Sequence, residues 1–319
     1  MCADIAEAAR TNSYVETISN KADTIHKYAS FSDETSIKRA YEVSIRSFLK
    51  ILSISKVELA IDGKKDLYYG NKSGLNVRNI KHEHGAEQAW EYIVVSIVCP
   101  CKIPLMAVRY SQGDDLAKIC IELLEYVKSL PIKIKKVMFD RGFYIAHLID
   151  FLESNKGKDS LPYLILVRRD KAIKRYIEQT KGNLGVFKHQ FKYQKEKSSW
   201  KPSTTIVVCP KAGKRRDGSY YDMIFATNLK PSRGLIEQYR RRWNIETEFR
   251  IMEEAKIKTK SNNPTTRLFY FLLRALFIII WLINSILRIH RTFKSYLRLV
   301  ERELRKFEVF KPPPIKPVF

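Results

Sequence analysis

Three acidic residues sit where a folded chain can gather them. Asp62 follows the apolar alternation of Val57, Leu59 and Ile61, and Asp140 follows Val137, Met138 and Phe139, so each aspartate is placed at the end of a strand. Glu246 lies in LIEQYRRRWNIETEFRIMEEAK, residues 235–256, which reads as one long amphipathic helix. Within it Tyr239, Arg242 and Glu246, at i, i+3 and i+7, stack along a single ridge. Ile236, Tyr239 and Trp243 give that ridge an apolar edge, which is expected to be buried. Two strand-end aspartates and a helical glutamate beside an arginine form a set that can converge. Carboxylate oxygens are the ligands that Mg²⁺ prefers. Two such ions about 4 Å apart activate a water or a 3′ hydroxyl and stabilise the leaving oxygen in an in-line displacement at a phosphodiester.

The elements that must position these groups follow from periodicity. Strands are expected over residues 57–61, 89–99 and 103–110, then a helix from near Asp115 to Lys128, the strand ending at Asp140, a helix over 143–153 and a buried strand over 164–167. Residues 1–52 read as a helical region, with helices over 14–28 and 34–52 and Ser32 or Asp33 as a cap. From Arg168 to about Asn228 the pattern breaks. That segment carries Arg168, Arg169, Lys171, Lys174, Arg175, Lys188, Lys192, Lys195, Lys197, Lys201, Lys211, Lys214, Arg215 and Arg216, interleaved with Phe187, Phe191, Tyr193 and Trp200. Two β-like runs, 204–209 and 221–227, are joined by a turn at Asp217–Gly218. A solvated basic face has the same composition, but the interleaving favours a cradle for a DNA backbone, lysines meeting phosphates and aromatics stacking on bases.

These residues resemble a known family. IDGKKDLYYG around Asp62, MFDRGFY around Asp140, and Tyr239, Arg242, Trp243, Ile245 and Glu246 in YRRRWNIE look like the Asp-Asp-Glu (DDE) transposases of the insertion-sequence family-four type, which carry a Tyr-x2-Arg-x3-Glu-x6-Lys signature. The resemblance runs from about residue 56 to about residue 284. It implies an α/β, RNase H-like mixed sheet flanked by helices, split by a β-rich insertion and preceded by a short helical N-terminal region. The corresponding division is 1–52 helical region, 53–167 first part of the core, 168–228 basic insertion, 229–290 helical second part and 291–319 basic, proline-rich tail. It also implies metal-dependent strand cleavage and strand transfer with two Mg²⁺ or Mn²⁺ ions: Asp62 bridging, Asp140 on one ion and Glu246 on the other. Tyr239, Arg242, Arg141 and Lys256 are the expected DNA contacts, and the partners are double-stranded transposon ends and target DNA, held by a homodimer. The signature lysine falls at position 253, where this chain has Glu253; Lys256 and Lys258 follow nearby.

Composition agrees with a nucleic-acid partner. The 319 residues carry 58 Lys plus Arg against 34 Asp plus Glu, a net charge of +24, the surplus that a phosphate-backbone binder needs. With 45% hydrophobic residues the chain can bury a sizeable core and is no disordered tail. Cys2, Cys99, Cys101, Cys120 and Cys209 lack the spacing of a zinc ribbon and read as reduced thiols. No charged n-region followed by an apolar run opens the chain, so a cytoplasmic, nucleoid-associated protein is expected. Residues 268–287, LFYFLLRALFIIIWLINSIL, are long enough to cross a bilayer, although Arg274 and Asn284 interrupt them and a buried core helix is the preferred reading. Two further readings stay open: a non-catalytic DNA-binding remnant, from Glu253 and the short N-terminal region, and a membrane-associated basic protein, from 268–287. His82 and His84 are further candidates for the same cleft, with surface positions as the alternative.

Overall fold

A computed structural model describes residues 2–70, 76–154, 161–191, 201–286 and 292–309. Lys192, Tyr193, Lys195, Lys197 and Trp200 of the basic segment, Leu287, and the proline-rich tail from Lys311 lie outside the described residues. The chain divides into two units: a sheet unit, Ser53–Glu246, and a helical unit made from both ends, Met1–Leu52 and Thr247–Phe319.

The N-terminal part of the helical unit holds α1 (Cys2–Thr11), α2 (Val15–Ile18), α3 (Ala22–Phe31) and α4 (Glu34–Ile51). The helix expected over 14–28 is broken at Ser19–Lys21, where the buried Ser19 hydroxyl donates to Asp4 Oδ2 at 2.7 Å. Serine competes for backbone hydrogen bonds and favours such interruptions. Asp33 caps α4 as expected, accepting from Ser36 N at 2.6 Å.

In the sheet unit, β1 (Lys56–Tyr68), β2 (Arg78–Glu83), β3 (Ala86–Cys99) and β4 (Ile103–Tyr110) are followed by α5 (Leu116–Lys128) and β5 (Lys133–Phe139). A 3-10 turn (Arg141–Phe143), α6 (Ala146–Ser154), β6 (Tyr163–Leu166), α7 (Lys171–Thr180), β7 (Gly185–Gln190), β8 (Ser203–Lys214) and β9 (Tyr220–Thr227) complete it, before α8 (Leu235–Arg240) and the first turn of α9 (Trp243–Glu254). Among the described residues nine strands form one sheet, in the order β2-β3-β1-β5-β6-β9-β8-β7, with β4 also on β3. β1, β3 and β4 pair antiparallel, whereas β5 and β6 run parallel to β1. A three-stranded meander followed by two crossover strands is the RNase H-like arrangement, and the fold is mixed α/β with helices flanking a large sheet. β3 is buried from Ala89 to Val98, which is why its sequence reads as a continuous apolar run rather than an alternation. Asp115 caps α5 by accepting from Ala117 N at 2.9 Å, and Cys120, Leu123, Leu124 and Val127 face inward.

β1 continues seven residues beyond Ile61, through the charged DGKKDLY, because pairing with β3 from Asp62↔Val94 to Tyr68↔Gln88 holds it extended where no apolar alternation announces a strand. The basic segment brings α7 as well as the expected hairpin. Its β9 pairs antiparallel with β6, so β7, β8 and β9 continue the central sheet. The hairpin turns at Asp217–Gly218, where Gly218 takes φ 83°. Phe187 and Phe191 are not free stacking platforms: Phe187 stacks on Tyr176 of α7 at 4.5 Å, and Phe191 lies 5.1 Å from both Tyr144 and His189. Alternation along β7 sends Phe187 and His189 to this small aromatic core while Lys188 stays exposed.

In the C-terminal part of the helical unit, α10 (Pro264–Ile286) packs on α3 and α4, and α11 (Phe293–Val309) on α1. α10 is long and apolar enough to cross a membrane, and half of its apolar window is buried inside the protein. Arg274, 2% exposed, lies in it, 3.9 Å from Glu253. Cys120 and Cys209 are buried thiols, Cys99 and Cys101 are half-buried at the end of β3, and Cys2 is exposed.

Candidate active site

The parallel pairing of β1 with β5 determines where two of the acids fall. Ile61 pairs with Phe139, so Asp62 and Asp140 follow the same rung on strands about 4.8 Å apart. β1 runs on through Asp62, whereas β5 ends at Phe139 and Asp140 opens the 3-10 turn. The third acid arrives on a helix that is not continuous. The single helix expected over 235–256 is interrupted at Arg241–Arg242, where Arg242 N donates to Tyr239 O at 2.9 Å and Ile245 N to Arg242 O at 3.0 Å. These i to i−3 bonds wind the chain more tightly for one turn. Trp243 is correspondingly 45% exposed instead of buried on the apolar edge; Ile236 and Tyr239 are buried as expected.

Tyr239, Arg242 and Glu246 remain on one side. The Arg242 guanidinium donates from Nη1 to Asp62 Oδ2 at 2.7 Å and from Nη2 to Glu246 Oε1 at 2.6 Å. One planar fork therefore holds both carboxylates, which keeps those two oxygens within about 8 Å of each other. Tyr239, 1% exposed and packed on the Phe225 ring at 5.3 Å, donates to Asp140 Oδ1 at 3.3 Å. The Arg242 guanidinium lies 5.5 Å from the Tyr239 ring centre. Arg242 and Tyr239 thus tie the three acids of the sequence reading to one another beside the C-terminal end of β5.

Burial governs the electrostatics. Asp62 is pushed up to about 6, first by desolvation, with the charges of Asp140 and Glu246 adding to the rise and Arg242 and the Gly63 N–H opposing it. Burial works against the charge of Arg242, but Tyr239, Asp62, Asp140 and Glu246 together hold it well above the usual arginine value. A carboxyl whose folded pKa is raised above its unfolded 3.8 favours the fold most below that value, and this contribution is lost as pH climbs through about 6. Asp62→Asn removes the effect. The unfolding free energy of wild type relative to Asp62→Asn is therefore expected to fall by up to about 3 kcal/mol between pH 4 and pH 7 in metal-free buffer. Urea titrations at several pH values measure this, and parallel profiles would contradict it.

Arg141 is exposed beside Asp140 and lines a cavity of about 450 Å³ with Arg168, Arg169, Arg215, Tyr221 and Asp222. Lys256 lies in the helical unit, 3.4 Å from Glu253. His82 and His84 are exposed at the β2–β3 hairpin, and neither is among the groups that perturb Asp62. Sequence reading missed Glu58 and Lys136, two charged side chains buried on β1 and β5. Glu58 carried a signal, as a charge inside the apolar run of residues 57–61 that faces the same way as Asp62, whereas Lys136 follows Lys133 and Lys135 and shares only its strand parity with Asp140.

A family model described as a transposase DDE domain matches residues 102–278, more than half of the chain. The chain belongs to the DDE transposase family. No curated protein matches it. Asp140 and Glu246 fall inside the matched span of the DDE domain, and Asp62 precedes it. DDE transposases act on DNA and generally use divalent metal ions. The donors of this transposase fit such ions in kind, being carboxylate oxygens, one of them on the largely buried Asp62. Among the described residues no three of His, Cys, Asp and Glu stand close enough to hold one ion together. The Arg242 guanidinium stands between Asp62 and Glu246 and bonds to both.

Proposed function

We propose that the chain is an insertion-sequence transposase of the family-four type that cuts the ends of its element and joins the freed 3′ hydroxyls to target DNA. The observation that carries this reading is the double salt bridge of Arg242 to Asp62 and Glu246, with Tyr239 on Asp140. It draws three acids from distant parts of the sequence around one cationic group. Asp62, Asp140 and Glu246 are the residues that would hold the two Mg²⁺ or Mn²⁺ ions. Those ions would supply the activated oxygen nucleophile and the charge that stabilises the leaving oxygen. Arg242, which bonds Asp62 and Glu246, would also be placed to hold the phosphate next to the cut, and the buried Tyr239 keeps Asp140 oriented. The division into an RNase H-like core (53–167 and 229–290), a basic segment (168–228), an N-terminal helical region (1–52) and a tail (291–319) belongs to the same reading. So do a homodimer on paired ends and a location on the nucleoid.

The four arginines around the cavity beside Asp140 are the natural seat for the DNA strand that leads to the site. Arg168→Ala with Arg169→Ala is expected to weaken binding of a duplex carrying the element's terminal sequence about tenfold. It should also lower the slope of log K against log salt by about two. Lys118→Ala, on the exposed side of α5, serves as the control. Equal losses in both proteins would mean that the cavity has no special part in binding.

The reading as a whole is tested by incubating the same duplex with the protein in Mg²⁺ and in Mn²⁺. Nicking at the element's ends supports it. Binding without nicking in either metal favours a DNA-binding remnant, the second reading, for which Glu253 at the position of the signature lysine is the supporting observation.

A further inference from the structure

β1 and β5 lie side by side with matched faces: Glu58 pairs with Lys136, Ala60 with Met138, and the next rung in phase is Asp62 beside Asp140. The face therefore carries a charged rung, a small apolar rung and the acidic rung, the outer two about 13 Å apart along the strands. Both outer rungs are gripped by the α8–α9 segment, and by successive positions of it. Gln238 Oε1 accepts from Lys136 Nζ at 2.6 Å, and Arg241 Nη1 donates to Glu58 Oε1 at 2.7 Å. One residue further along, Tyr239 and Arg242 take Asp140 and Asp62. Glu58 and Lys136 also pair with each other at 3.4 Å, and they are 5% and 7% exposed. Asn244 adds a third tether, donating to Val98 O at 2.9 Å.

A buried ion pair of this kind is a poor way to stabilise a sheet, because desolvation consumes most of the attraction and two apolar residues would serve as well or better. It does fix a register. A helix sliding along an apolar rung meets little resistance, whereas one bonded to a buried carboxylate and ammonium has a single position that satisfies them.

We infer that Glu58, with Lys136, is a positioning residue of the active site: the pair sets where the α8–α9 turn lies on the sheet, and so where Arg242 and Glu246 stand relative to Asp62. The inference rests on the metal-dependent reading of those acids.

The test compares wild type, Glu58→Gln, Glu58→Asp, Arg241→Gln and Asp62→Asn at a temperature where thermal melts show every protein folded. Two quantities are measured: Mn²⁺ binding by calorimetry without DNA, and the Mg²⁺ dependence of single-turnover cleavage of the terminal duplex. Glu58→Gln is expected to bind Mn²⁺ at least tenfold more weakly and to cleave about thirtyfold more slowly, with duplex affinity within twofold of wild type. Glu58→Asp should recover part of both. Arg241, half exposed, can be changed with less risk to folding, and Arg241→Gln should shift Mn²⁺ affinity in the same direction by three- to tenfold. If Glu58→Gln and Arg241→Gln match wild type while Asp62→Asn binds no Mn²⁺, the positioning role is overturned and the catalytic reading stands. Should Glu58→Gln not fold, Arg241→Gln alone decides. Wild type that binds no Mn²⁺, or Asp62→Asn that binds and cleaves like wild type, overturns both.

Discussion

Asp140→Asn is expected to abolish Mg²⁺-dependent cleavage, by at least about 10³-fold, while leaving DNA binding intact. Asparagine keeps an oxygen that can accept from the Tyr239 hydroxyl, so the contact at 3.3 Å and the local fold survive the exchange. What is lost is the ligand's negative charge. A metal-stabilised transition state draws several kcal/mol from its ions, and about 4 kcal/mol corresponds to that factor. In the proposed reading, binding rests on exposed basic residues such as Arg141, Arg168 and Arg169, which the substitution does not touch, so affinity should still drop steeply with salt. Single-turnover cleavage and a salt series of binding isotherms measure the two effects separately. Unchanged cleavage would remove Asp140 from the chemistry.

The second large effect concerns Glu253, where the family signature places a lysine. From the sequence alone, Glu253→Lys would be expected to add a cation toward DNA and improve end binding. Its surroundings in the helical unit point to a different dominant outcome. Glu253 is 3.4 Å from Lys256 and 3.9 Å from Arg274, whose side chain is 2% exposed. A lysine there sets a third positive charge against two others, one of them buried. Breaking and reversing such a pair costs about 3 kcal/mol, enough to lower the melting temperature by about 5–10 °C. Glu253→Gln, which removes the charge without reversing it, should lose less. Thermal melts of the three proteins decide, and a Glu253→Lys protein as stable as wild type would show that Arg274 does not depend on this carboxylate.

Much of the site was legible because chemistry and periodicity coincide in it. Asp62 and Asp140 each follow an apolar run, although only Asp140 ends its strand and Asp62 lies in the middle of β1, and the spacing of Tyr239, Arg242 and Glu246 puts them on one ridge even though the helix is interrupted between the first and the last. The three meander strands and the helices after β4 and β5 were legible for the same reason. Elsewhere tertiary pairing overrode local pattern. The second half of β1 is polar and is a strand only because β3 lies beside it. α7 hides among lysines and arginines with Ile173 as its buried anchor. The role given to Arg242 was also incomplete. Sequence made it a phosphate contact, whereas in the folded chain it first serves as counter-charge to Asp62 and Glu246.

The antiparallel join of β9 to β6 bears on how the protein can be cut down. β6 is a four-residue strand with β5 on one side and β9 on the other. Excising the basic segment would therefore not trim an appendage. It would leave β6 with a bare row of amide and carbonyl groups at the rim of an otherwise apolar sheet, the kind of open edge on which polypeptide chains dock indiscriminately. A truncated core of that design is an aggregation hazard, which makes the basic segment a structural closure of the central sheet, whatever part it also plays at the DNA surface proposed above.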